Sequence, residues 1–114
     1  MILKLQKQLE SKRYLYVGFM CHQVIEKILK ALYSNIHDDI PPYTHNLFLL
    51  SDKCGLMKDM EISKRKFLDE LQPLNIEARY PDYKNKIFKN LNAAVAKEIL
   101  EKTRMFYKWI KDML

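Results

Sequence analysis

The chain has 114 residues, 48% hydrophobic and 30% charged, which fits one globular domain over residues 1–114 and excludes a disordered chain. Two glycines and four prolines are too few for the turns of a sheet protein of this length. A net charge of +6, from 20 Lys and Arg against 14 Asp and Glu, is compatible with phosphate-bearing partners. It falls short of the charge density of a dedicated nucleic-acid clamp, and the lysines read as solvated helix faces.

Cys21 and Cys54 have no Cys-x-x-Cys spacing; they read as small buried or half-buried thiols of an intracellular protein rather than as a disulfide framework. The first residues, Met1-Ile2-Leu3-Lys4-Leu5-Gln6-Lys7, interleave charge with apolar residues and contain no signal-peptide core. No apolar run approaches the roughly 20 residues of a spanning helix. The expectation is a cytoplasmic protein without membrane attachment.

In chain order, residues 3–33 form the first long helical element, with a break near Ser11. Leu15, Phe19, His22, Ile25, Leu29 and Leu32 recur at three- and four-residue steps on one stripe. Val17, Met20, Val24, Ile28 and Ala31 form a second stripe beside it. An apolar arc this wide belongs to a helix between neighbours, and Gly18 admits a close backbone approach. Glu26 and Lys30, four apart, read as a surface pair. His37-Asp38-Asp39-Ile40-Pro41-Pro42 is a loop, because two prolines remove donors and fix the backbone.

Thr44 is the expected N-cap of a short helix carrying Leu47, Leu49 and Leu50, which Gly55 ends. Residues 63–71 form a further helix burying Phe67, Leu68 and Leu71, with Pro73 at its end. Residues 75–90 are a tyrosine-bearing connector around Pro81. The last helix, 91–113, is expected to bury Leu91, Val95, Ile99, Phe106, either Trp109 or Ile110, and Met113. The fold class is therefore all-α, an up-and-down antiparallel bundle of four to five helices.

Few chemistries survive this inventory. Two glycines cannot build a phosphate loop or a dinucleotide fingerprint. No Gly-x-Ser-x-Gly elbow is present, and neither cysteine has a histidine placed to activate it. His22, His37, His45, Asp38 and Asp39 lack the spacing of a metal site. No metal and no cofactor is expected. His22 lies within an apolar stripe and reads as a satisfied core histidine, and His45 as a structural hydrogen-bonding residue.

Three strings carry a resemblance. His22-Gln23-Val24-Ile25-Glu26-Lys27-Ile28-Leu29-Lys30-Ala31-Leu32 is followed by Thr44-His45-Asn46-Leu47, and then by Ala78-Arg79-Tyr80-Pro81-Asp82-Tyr83. In this order they resemble the HEPN family, in the branch with an Ala-Arg-Tyr-Pro-Asp connector. The resemblance implies a helical bundle, often a homodimer, acting beside a minimal nucleotidyltransferase in pairs that include toxin–antitoxin modules. Toxic members are metal-independent ribonucleases with an Arg, a short spacer and a His near the start of the last helix. Here Lys84, Asn85 and Lys86 stand where that His would be, and no His follows His45. A lysine of ordinary pKa is a poor proton shuttle near neutral pH.

The expected function is thus a nucleotide- or substrate-binding accessory of a nucleotidyltransferase, with a nucleotide or RNA ligand and no catalytic residue of its own. The alternatives are a ribonuclease toxin with a non-standard site around Arg79 and a bundle that only assembles partners. The candidate nucleotide-binding residues are Arg79, Tyr80, Asp82, Tyr83 and Lys27. Arg79 could fork two hydrogen bonds onto a phosphate, and Tyr80 or Tyr83 could stack on a base. Equally, Arg79 and Asp82 could pair with a neighbouring helix while the tyrosines fill the end of the bundle. Lys27, with Glu26 and Lys30, also reads as a plain surface charge set.

Overall fold

The computed structural model describes residues 14–75 and 91–114. Residues 1–13 and 76–90 lie outside the description, and with them the start of the first element, the break near Ser11 and most of the connector. The described residues form an all-helical bundle of four α-helices and one 3-10 turn: α1 (Tyr14–Ile36), α2 (Leu47–Lys53), α3 (Ile62–Leu71), the turn Gln72–Leu74, and α4 (Ala93–Lys111).

The wide apolar arc makes α1 the centre of the fold. It packs chiefly against α4, and also against α2, the 3-10 turn and α3. Val17, Cys21, Ile25 and Leu29 are wholly buried along it, with Val24, Ile28 and Leu32 nearly so. The two stripes thin at their edges: Phe19 and Met20 are half-buried and Ala31 is exposed. Gly18 is buried because the turn crosses it closely; a Cβ there would stand 2.9 Å from Leu74 Cδ1.

The loop over residues 37–46 carries no helix, as its prolines require. The cap that follows differs from expectation. Asn46, not Thr44, is the N-cap of α2, its side-chain oxygen accepting from Leu49 N at 3.1 Å. Thr44 instead accepts from Asn46 N through Oγ1, so its hydroxyl serves the turn before the helix. Gly55 ends α2 with φ +72°, a left-handed conformation that side chains disfavour.

Helix α3 buries Phe67, Leu68 and Leu71, and Pro73 lies in the 3-10 turn that succeeds it. Asn92 caps α4 by accepting from Val95 N at 2.9 Å. That helix buries Ala96, Ile99, Leu100, Thr103, Phe106 and Ile110. Val95 and Trp109 are only half-buried and Met113 is exposed, because the buried stripe runs through 96, 99, 103, 106 and 110. Thr103 fits this apolar seam because its hydroxyl donates to Ile99 O at 2.7 Å.

Both cysteines are buried and free, and burial pushes each thiol up to about 11, which makes them inert packing residues. Among the described residues no helix is long and apolar enough to cross a membrane.

Candidate functional site

The first two sequence strings meet in space. Glu26 sits two turns before the end of the apolar part of α1 and is 5% exposed. An isolated buried carboxylate would be costly, and this one collects donors from two elements. His45 Nδ1, from the loop before α2, lies 2.8 Å from Oε1, and Lys30 Nζ donates to Oε2 at 3.2 Å. His22 Nδ1, one turn earlier on α1, stands 3.8 Å from Oε1. The surface pair expected of Glu26 and Lys30 is thus corrected: the pair forms, but around a buried carboxylate whose shortest contact is to His45.

His22 is fully buried, and neither ring nitrogen completes a hydrogen bond of good geometry. The expectation of a satisfied core histidine therefore fails in its polar half. Burial lowers the ring to about 4 from its usual 6.5. The Glu26 carboxylate and the His45 carbonyl, which lies nearby outside hydrogen-bond geometry, pull upward without overcoming it. His22 is neutral at physiological pH, so the charge partner of Glu26 is Lys30, while His45 contacts it through Nδ1.

The backbone from His45 to Leu47 is held by one side chain. Gln72, at the start of the 3-10 turn, donates through Nε2 to His45 O at 3.1 Å and accepts from Leu47 N at 2.8 Å. Gln23 donates to Asn75 Oδ1 at 3.1 Å, tying the end of the described turn to α1 one helical turn before Glu26. With Nδ1 engaged by Glu26, the carboxylate sets the orientation of the His45 ring, whose side chain is 59% exposed. The assembly is a clasp that holds the proline-bearing loop on α1 and orients one imidazole.

Of the candidate residues, Lys27 lies on α1 beside Glu26 in sequence but is exposed, apart from the buried cluster. Arg79, Tyr80, Asp82 and Tyr83 lie outside the described residues. Gln72, Gln23 and Asn75 were not singled out by sequence; Gln23 lay within a motif, but nothing local marks Gln72 as the partner of a loop 25 residues earlier. Among the described residues no group of three His, Cys, Asp or Glu side chains could hold a metal ion.

No curated protein and no solved structure matches the chain. The HEPN domain matches residues 4–113, nearly the whole length, and the buried contact between Glu26 of the first string and His45 of the second gives those two strings a shared structural role. The chain belongs to the HEPN domain family.

Proposed function

We propose that this chain is a nucleotide- or substrate-binding helical accessory domain that acts in the cytoplasm with a minimal nucleotidyltransferase, in a toxin–antitoxin pair. The observation that carries this reading is a HEPN domain in which no histidine follows His45. The family's Arg–spacer–His ribonuclease signature therefore stops at Arg79. Without a proton-transferring partner, Arg79 serves binding, donating two hydrogen bonds to a phosphate while Tyr80 and Tyr83 contact the base; Asp82 and Lys27 complete the proposed set. The domain pairs with a second copy of itself. Ile36, Ile40 and Tyr43, exposed at the end of α1 and in the loop after it, offer apolar surface for such a contact.

Calorimetry with nucleotides, using the purified chain together with its partner, tests the reading. Arg79→Ala should weaken binding by about 1.5–3 kcal/mol, the worth of a charge-assisted hydrogen bond, while Lys97→Ala on the exposed face of α4 should change little. Unchanged nucleotide binding by Arg79→Ala would make the connector structural. Metal-independent RNA cleavage by the wild-type chain that is lost in Arg79→Ala would replace the binding role with a ribonuclease. Sedimentation of the isolated chain as a monomer at micromolar concentration would remove the self-pairing.

A further inference from the structure

A cleft of about 340 Å³ lies between α3 and α4, at the lower end of the roughly 300–1,000 Å³ range of ligand sites. Its walls are Phe67, Phe106, Met105 and Trp109. The rings form a connected set: Phe67 and Phe106 have centroids 5.7 Å apart, and Phe106 meets Trp109 edge-on at 5.4 Å. Met105, in the lining, is 72% exposed. A long apolar side chain thus stands in solvent at an apolar trough.

The surrounding charge is net positive. Together α3 and α4 carry eight basic and four acidic residues, a surplus of four out of the chain's six. Lys64 and Lys102 stand at the mouth, Lys64 Nζ lying 4.8 Å over the Trp109 ring. Glu61 is the one acid of the lining and is only loosely held, 3.9 Å from Lys64. Lys102 is matched by Glu98 and Glu70, but Lys108, one turn beyond Met105, and Lys66 on α3 are exposed and carry no ion pair among the described residues.

An apolar trough with basic shoulders is complementary to an amphipathic helix whose anchors are flanked by carboxylates. We propose that this cleft is a docking surface for an acidic amphipathic helical segment of a partner protein. The partner's apolar anchors seat between Met105 and Trp109, and its acidic flanks face Lys66 and Lys108. Lys27 is not among the residues that line this surface, and the assay below contains no nucleotide, so the proposal stands or falls independently of nucleotide binding.

Trp109 is the chain's only tryptophan, so its emission reports on this cleft alone. Two synthetic peptides serve as probes, sharing leucines at i, i+3, i+4 and i+7 and carrying Glu in one, Lys in the other, at the remaining positions. The Glu peptide should shift Trp109 emission saturably, with an affinity that falls as salt rises; the Lys peptide should not. Met105→Glu should lower the affinity about tenfold or more, as loss of an anchor contact does, and Lys108→Glu should lower it too. Both positions are exposed, and circular dichroism checks that both variants fold. Equal response to the two peptides, no response to either, or an unchanged affinity in Met105→Glu would overturn the proposal.

Discussion

Burial of His22 makes a quantitative statement about acid stability. The ring titrates at about 4 in the folded chain and near 6.5 when exposed. Between those values the unfolded chain binds a proton that the folded chain refuses, so stability falls as pH drops from about 6.5 to about 4 and levels off below that in this group's contribution. At about 1.36 kcal/mol per pH unit, the interval amounts to roughly 3 kcal/mol. That is a large part of the 5–15 kcal/mol that usually separates folded from unfolded chains.

Urea unfolding followed by circular dichroism, at intervals from pH 8 to pH 4, measures this for the wild type and for His22→Leu. The leucine keeps an apolar side chain in a site that offers the ring nitrogens no good hydrogen bond. Subtracting the two curves removes the groups common to both. The wild type should lose about 3 kcal/mol more than the variant over the interval. Parallel curves would show that the ring takes up its proton without strain in the folded chain, and the reasoning from burial would be wrong.

Leu29→Ala and Phe106→Ala should each cost on the order of 2–5 kcal/mol in chemical denaturation, since both side chains are packed in the core; losses below 1 kcal/mol would contradict that packing. The clasp is tested by a double-mutant cycle between Glu26→Gln and His45→Ala. Because His45 is more than half exposed, the coupling should be near the lower end of the usual 0.5–3 kcal/mol, about 1 kcal/mol, and strict additivity would deny the contact any energetic role.

Helix periodicity makes the centre of the bundle legible in the sequence. Ile25, Leu29 and Leu32 are buried where the stripe places them, and Gly55 and Pro73 mark ends that local backbone chemistry dictates. The edges were less legible. A wide arc does not say where the neighbouring helix stops, so Phe19, Met20 and Ala31 fall outside the core. Ile110 rather than Trp109 takes the buried place, because register on α4 depends on what α1 presents.

Glu26 was misread for a different reason. An i, i+4 Glu–Lys pair looks the same on a solvated face as around a buried carboxylate, and the residue that distinguishes them, His45, is 19 positions away. Thr44 and Asn46 are both good capping residues; the choice depends on where Gln72 pins the loop, which is tertiary information. Of the proposed nucleotide site, only Lys27 lies among the described residues, and its exposure leaves both of its readings standing.

The dominance of the α1–α4 contact governs how the chain must come off the ribosome. The partner of the most apolar helix is the last described one, with α2 and α3 emerging between them. Until residues 93–111 have been synthesised, the face of α1 that holds Val17, Cys21 and Ile25 has no complete cover. Local pairing with α2 can form early, but closure is a long-range event that bears loop entropy before it gains burial. A nascent or truncated chain lacking α4 therefore exposes a sticky helix, which is open to aggregation until residues 93–111 arrive to cover it.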